Sequence, residues 1–242
     1  MKQKNKFIEE QLKNMEPKLL VIFVIDNSSA MTVDRMESVN SFLDSFYKSI
    51  QSGNGDPFPM EMIDKIEFSI ITYSDSVQTL RKVSLIGEYE STPQIECNRA
   101  DSTCFIEALH EALDIVNERK EWYKTVGQRY YRPQIYILSA DDIAIDTDSK
   151  EYTTLRDRIF EEYSHNRLYI INKSVGTQQD NNCSPSLKEI CCTTVHTLQD
   201  MNMTLNAYNI NQFCNANIAS KANNTDCISL PEESSWIDKL NI

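Results

Sequence analysis

Short, almost purely apolar runs alternate along the chain with longer segments whose apolar residues recur at helical spacing. Between Lys18 and Asn27 lies LLVIFVID, a run typical of a strand buried on both faces of a parallel sheet. Further strands are predicted at 66–73, 77–83, 134–139, 167–172 and about 194–198. Segment 77–83 follows a Ser-Asp-Ser turn, so we expect it to be a short antiparallel edge strand.

Helices are predicted between these strands. One apolar stripe ends before the Gly- and Pro-containing segment 52–57 and comprises Val39, Phe42, Leu43, Phe46, Tyr47 and Ile50. A second, with Ser102 or Thr103 as its N-cap, comprises Phe105, Leu109, Ala112, Leu113 and Val116. A third contains Leu155, Ile159 and Phe160. A weaker short helix is predicted at about 186–192, and another helix at about 203–222. The polar and aromatic stretch 118–132 is interpreted as a connection.

This alternation predicts an α/β fold, a three-layer α/β/α sandwich around a doubly wound, mostly parallel sheet with one short antiparallel edge strand. We expect residues 18–222 to form this domain. Residues 1–17 are predicted to form an accessory helix, because their apolar residues have helical spacing: Phe7, Ile8, Leu12 and Met15. Residues 223–242 show little periodicity and are interpreted as a tail over the surface.

The charge of the chain excludes one class of partner. The 242 residues carry a formal net charge of −12. Nucleic-acid binding depends on clustered Lys and Arg, so we expect no nucleic-acid partner. The longest apolar run, 19–25, is far shorter than the about 20 residues that span a bilayer. Together with a polar amino terminus and seven irregularly spaced cysteines, this favours a cytoplasmic protein without a membrane partner.

Polar residues follow the predicted strands at the points where an open α/β sheet places its binding site. Asp26 and Ser28 follow the first strand, Thr103 precedes the second long helix, and Asp141 follows the 134–139 strand. Carboxylate and hydroxyl oxygens are ligands that suit Mg²⁺ or Mn²⁺. A purely structural role is the alternative: Asp26 and Ser28 would cap the following helix, and Thr103 the next one.

In these loops the sequence resembles a von Willebrand factor A (VWA) domain over roughly residues 18–222. The metal-ion-dependent adhesion site of that family reads D-x-S-x-S, then a Thr, then a T-D-G turn. Here the positions read Asp26-x-Ser28-x-Ala30, Thr103 and Ser139-Ala140-Asp141. Within the family it looks most like the bacterial cytoplasmic proteins related to tellurium resistance. The features that carry this likeness are 66–76, the Arg-Pro at 132–133 and the segment 212–220.

The resemblance implies a binding or scaffold module, and its departures imply a degenerate site. Ala30 replaces the second serine, and Ala140 stands where the second aspartate is expected. Asp141 replaces that aspartate only by a one-residue shift. The resemblance therefore implies a metal site of low occupancy formed by four residues: Asp26, Ser28, Thr103 and Asp141. We expect no cofactor, or weakly bound Mg²⁺ or Mn²⁺.

The expected function is non-catalytic protein binding at this rim of the sheet, within a bacterial stress-response or kinase/phosphatase signalling system. The partner-binding residues are predicted to be Asn27, Ser29, Ser102 and Asp142. The acidic loop 141–148 would give the rim a negative potential, which favours a basic partner surface.

A Mg²⁺-dependent phosphatase similar to the haloacid dehalogenases is the alternative, with Asp26 as the nucleophile. That family requires D-x-D in its first loop, and the third residue of this loop is Ser28. The chain has no G-x-S-x-G, phosphate-binding G-x-x-x-x-G-K-[ST] or H-E-x-x-H motif. Its three histidines, at 110, 165 and 196, are interpreted as structural. We therefore expect a protein that is not an enzyme.

Overall fold

Six strands form one mixed sheet in the computed structural model, which describes residues 17–52, 63–101, 103–140, 145–165, 167–175, 185–191 and 193–194. The strands are β1 (Leu19–Asp26), β2 (Ile66–Tyr73), β3 (Val77–Leu85), β4 (Gln134–Ser139), β5 (Tyr169–Ser174) and β6 (Thr193–Thr194). Their order is β3-β2-β1-β4-β5-β6. All neighbouring pairs are parallel except β2 and β3, so the predicted antiparallel edge strand is confirmed.

Four helices lie between the described strands. They are α1 (Val33–Ser52), α2 (Phe105–Val126), α3 (Lys150–Ser164) and α4 (Pro185–Ile190), with a 3₁₀ turn at Ile86–Glu88. None of the described helices is long and apolar enough to cross a membrane. The N-terminal helix predicted at 1–17 falls almost wholly outside the described residues, as do the helix at 203–222, the tail at 223–242 and most of the strand at 194–198.

The side chains of β1 alternate between two apolar layers, and all of its apolar residues are fully buried. Leu19, Val21, Phe23 and Ile25 pack with the stripe of α1. Leu20, Ile22 and Val24 pack with the buried faces of α2, α3 and α4. The prediction of a central strand covered on both faces is therefore confirmed, and the chain forms the expected α/β sandwich.

The connection predicted at 118–132 is wrong over its first nine residues, because α2 continues to Val126. The buried stripe runs on from Val116 through Lys120 and Tyr123 at helical spacing. Lys120 can be buried because its Nζ donates to Glu162 of α3 at 2.7 Å. Gly127, with φ 72°, then ends the helix in the left-handed conformation.

Two smaller predictions about the helices are also wrong. Phe160 does not belong to the core stripe of α3, since it is 70% exposed while Leu155 and Ile159 are buried. It directly follows Ile159 and so points about 100° away around the helix. The residue at the N-cap position of α2 is Cys104, which makes no side-chain capping bond, so Thr103 is not the N-cap.

A buried ionic network joins β2 to α2 near the amino ends of the parallel strands. The Glu67 carboxylate accepts hydrogen bonds from Arg119 Nε at 2.7 Å, from Arg119 Nη2 and from the Tyr123 hydroxyl. The Arg119 guanidinium also stacks on Trp122, 4.0 Å from the ring centroid. Burial and the charge of Glu67 raise the pKa of Tyr123, so its phenol stays protonated and donates to the carboxylate.

Candidate functional site at the carboxyl edge of the sheet

Backbone hydrogen bonds hold the β1–α1 loop against two neighbouring segments. Asn27 N donates to Tyr73 O at the end of β2, at 3.0 Å. Asn98 N donates to Asn27 O at 2.5 Å, and Ser29 N donates to Ala100 O at 3.0 Å. The loop after β1 therefore lies beside the end of β2 and the segment that leads to α2. Two of the three regions predicted to converge, the loop after β1 and the segment before α2, therefore lie side by side.

Asp26 joins the third region to the site. It is 1% exposed, and its Oδ1 accepts a hydrogen bond from Ser28 N at 2.8 Å. Its Oδ2 lies 3.5 Å from Ala140 N, directly after β4. The carboxylate is therefore oriented by two backbone amides from different loops, and Asp26, Ser28 and Ala140 are neighbours as the sequence predicts.

Two buried hydroxyl groups near this carboxylate have no hydrogen-bond partner among the described residues. They are Ser28 Oγ and the phenol of Tyr73. Burial, and secondarily the charge of Asp26, raises the pKa of Tyr73 well above its ordinary value, so the phenol is neutral. A buried hydroxyl without a partner is costly, and a water molecule or ligand normally satisfies it. Ser28 Oγ is thus an available oxygen ligand.

The alternative prediction, that Asp26 and Ser28 cap α1, is wrong. Thr32 caps α1: its carbonyl accepts from Met36 N at 2.9 Å, and its Oγ1 accepts from Arg35 N at 3.4 Å. The Asp26 carboxylate instead accepts bonds within its own loop and from the end of β4. Since neither residue is needed to begin the helix, both remain candidates for binding.

The remaining predicted site residues, both rim residues and metal ligands, differ in their settings. Ser29 is exposed and its Oγ donates to Asp101 Oδ1 at 2.7 Å. Asn27 is half-buried, and its Nδ2 donates to Glu96 O at 3.4 Å. Thr103 is half-buried beside Cys104, whose N donates to Ser74 O at 2.6 Å. Ser102, Asp141 and Asp142 lie outside the described residues.

The described side chains supply only part of the oxygen set that a hexacoordinate Mg²⁺ requires. They offer the carboxylate of Asp26 and the hydroxyls of Ser28 and Thr103. Ala30 and Ala140 contribute no side-chain oxygen, and Ala140 is buried. Within the described ranges no group of three or more His, Cys, Asp or Glu residues is placed to hold a metal ion. Among the described residues, the predicted ligands Asp26, Ser28 and Thr103 therefore bring one carboxylate and two hydroxyls, fewer than the six oxygens of a Mg²⁺ ion.

An open groove of about 550 Å³, which the sequence does not predict, begins beside Ser29. One wall is the start of α1 and the other is the irregular segment 95–99. Its lining includes Met31, Val33, Met36 and Ile95. The only sequence signal is the apolar spacing of 33 and 36 before the predicted helix, because segment 95–99 has no periodicity.

A mixed sheet between two helical layers, with a polar site at its carboxyl edge, defines the class of open α/β domains. The model of the von Willebrand factor type A domain family matches residues 21–212, and the chain belongs to that family. No curated protein matches the chain.

Solved structures with this fold have little sequence identity to the chain. An aerotolerance-related membrane protein from Bacteroides fragilis, with multiple mutations to serines, is 11% identical, with a TM-score of 0.51 and coverage of 80% of this chain and 99% of that one. The pilus adhesin SpaC from Lactobacillus rhamnosus GG is 11% identical, with a TM-score of 0.50 and coverage of 81% and 30%. Proximal thread matrix protein 1 from the mussel byssus is 13% identical, with a TM-score of 0.48 and coverage of 78% and 44%. The chain thus spans less than half of two of these proteins.

Proposed function

We propose that this VWA domain is a non-catalytic protein-binding or scaffold module whose partner docks on the carboxyl edge of the sheet. VWA domains commonly mediate protein interaction or adhesion, and one structural neighbour is described as a pilus adhesin. The observation that carries the proposal is the setting of Asp26. It is oriented between the ends of β1 and β4, beside the unpartnered hydroxyl of Ser28.

We propose further that the metal-ion-dependent adhesion site is degenerate. In a complete site of this family, the metal takes a carboxylate from the partner. Here Ala30 and Ala140 remove one hydroxyl and one carboxylate, and the buried Ala140 leaves the position next to Asp26 without an acid. Mg²⁺ or Mn²⁺ therefore binds weakly if it binds at all, with Asp26, Ser28, Thr103 and Asp141 as its ligands. The partner is recognised mainly by shape, hydrogen bonds and charge.

The charge of the rim supports a basic partner surface. Asp101 is exposed beside Ser29, and Asp146 and Asp148 are exposed on the connection that follows β4. These exposed carboxylates attract Lys and Arg side chains. Binding should weaken as salt is added, because exposed charges are screened.

The finer assignment is also a proposal. The segments 66–76, 132–133 and 212–220 support a likeness to the VWA proteins of tellurium-resistance systems, and hence a place in a stress-response or kinase/phosphatase signalling system. The cysteine pattern supports a cytoplasmic location. Cys97 and Cys104 are thiols, not half-cystines.

Among the described residues of the site, nothing favours the phosphatase alternative. The residue two positions after Asp26 is Ser28, where that family requires an acid. Two histidines make structural contacts: His110 Nδ1 lies 3.4 Å from Arg158 Nη1, and His165 Nδ1 lies 2.9 Å from Glu161 O. His196 is outside the described residues.

Affinity capture from the native cell tests the proposal. The bait is the full chain, compared with Ser29→Arg at the rim and Phe160→Arg on α3, since both variants add one positive charge at an exposed position. We expect Ser29→Arg to lose a partner that Phe160→Arg retains. Capture should survive a metal chelator and fall between about 0.05 and about 0.5 M salt. Equal capture by both variants, or release by the chelator, contradicts the proposal.

A further inference from the structure

The groove beside the β1–α1 loop has an apolar floor and a partly exposed apolar wall. Met31, Met36 and Ile95 form the buried part of its lining, and Val33, at the first position of α1, is 66% exposed. Methionine side chains are unbranched and polarizable, so they adapt to the shape of an inserted group. The groove is therefore suited to receive an aliphatic side chain from outside the domain.

Hydrogen bonds fix both walls of the groove. Asn40 of α1 pairs with the backbone of Ile95 twice: its Nδ2 donates to Ile95 O at 2.9 Å, and its Oδ1 accepts from Ile95 N at 2.9 Å. At the other end, the bonds from Asn98 N to Asn27 O and from Ser29 N to Ala100 O hold the wall to the site. A preformed groove binds without the entropic cost of ordering its walls.

The charges around the groove are mostly negative. Glu37 and Glu96 line it and are exposed, as are Asp34 next to Val33 and Asp101, which is bonded to Ser29. Arg99 is the exposed cation of the lining. The Arg35 guanidinium is half-buried and donates to Ala30 O at 2.9 Å. Around the groove, four carboxylates therefore outnumber two guanidinium groups.

We propose that this groove is the specificity pocket of the partner-binding edge. It receives one aliphatic side chain of a partner segment in which Lys or Arg flanks that residue. The proposal rests on the proposed function, because the pocket is continuous with the rim at Ser29. The apolar lining selects the inserted side chain, and the carboxylates select its basic neighbours.

Methyl NMR of the full chain with ¹³C-labelled methionine tests this, because Met31 and Met36 report directly on the groove. The probes are three short synthetic peptides: a Leu flanked by Lys, the same Leu flanked by Glu, and the Lys peptide with Ser in place of Leu. We expect the Lys–Leu peptide to shift both methyl signals saturably. The other two should bind at least about tenfold more weakly, equivalent to about 1.4 kcal/mol.

Matched truncations of exposed apolar residues locate the contact. Val33→Ser should weaken the Lys–Leu peptide by about tenfold, while Phe160→Ser on α3 should leave its affinity unchanged. The proposal is overturned if the Lys–Leu peptide does not shift the signals of Met31 and Met36, or if the Glu peptide binds as tightly as the Lys–Leu peptide. It is also overturned if Val33→Ser and Phe160→Ser lose the same affinity. It is also overturned if a peptide of residues 1–16 binds more tightly than the Lys–Leu peptide, since the occupant of the groove is then the amino terminus. If dilution of the protein alone shifts the methyl signals, the occupant is a second copy of the chain, and the proposal is likewise overturned.

The two proposals fail differently in these experiments. If Ser29→Arg abolishes capture of the partner while Val33→Ser leaves it intact, the edge binds a partner without using the groove. If neither variant affects capture, the proposed function itself is contradicted.

Discussion

Replacing Arg119 with Met should destabilise the fold strongly, because it leaves a buried carboxylate with one donor. Glu67 is 2% exposed, and two of its three hydrogen bonds come from Arg119; the third comes from Tyr123. Breaking a buried ion pair by removing one partner costs about 3–5 kcal/mol. For a domain of this size we expect the melting temperature to fall by about 6–20 °C, at about 2–4 °C for each kcal/mol.

A second ion pair on the same helix is the matched control. Lys124 pairs with Glu121 at 2.7 Å, but the two side chains are 57% and 71% exposed. Exposed pairs contribute little, so Lys124→Met should lower the free energy of unfolding by less than about 0.5 kcal/mol. Both variants remove one positive charge from α2, and they differ in the burial of the carboxylate that remains.

Urea unfolding followed by circular dichroism measures both changes. The triple variant Glu67→Leu, Arg119→Met, Tyr123→Phe should recover most of the stability lost in Arg119→Met, because no buried charge or hydroxyl is left unpaired. If Arg119→Met costs no more than Lys124→Met, or if the triple variant is as unstable as Arg119→Met, the buried network does not have the role assigned to it.

Three further predictions concern the site, the core and alkaline pH. Ala30→Ser combined with Ala140→Asp should create Mg²⁺ binding detectable by calorimetry, and no gain would contradict the assignment of these two ligand positions. Phe23→Ala should lower the free energy of unfolding by about 3–5 kcal/mol in urea, since Phe23 is fully buried among three aromatic rings; a loss below about 1 kcal/mol would contradict this packing. Burial and the bond to Glu189 raise the pKa of Tyr152 from 10.0 to about 12. As pH rises, the phenol ionises in the unfolded chain before it does so in the folded one, so the free energy of unfolding that Tyr152 contributes below pH 10 is lost towards pH 12. In urea unfolding, the stability advantage of the wild type over Tyr152→Phe should therefore shrink across that range.

The central strands and the convergence at Asp26 could be predicted because local pattern determines them. An uninterrupted apolar run such as 19–25 is stable only between two apolar layers, and the carboxyl ends of parallel strands share one edge. Asp26 and Ala140 are 114 residues apart in sequence, yet strand order alone makes them neighbours.

Features that depend on partners from distant segments could not be predicted. Lys120 interrupts an apolar stripe in the sequence, and α2 continues through it because Glu162, 42 residues later, pairs with the ammonium group. The groove has the same origin: its wall at Ile95 is an irregular segment, held by the side chain of Asn40 from 55 residues away. Neither contact leaves a periodic signal.

Calorimetric titration of the full chain with Mg²⁺ and Mn²⁺ tests the proposed degenerate site most directly. Asp26, Ser28 and Thr103 should give no sub-millimolar binding, because Ala30 and Ala140 leave the oxygen set incomplete. Sub-millimolar binding that Thr103→Ala abolishes would contradict this, and would show instead a functional metal-ion-dependent adhesion site.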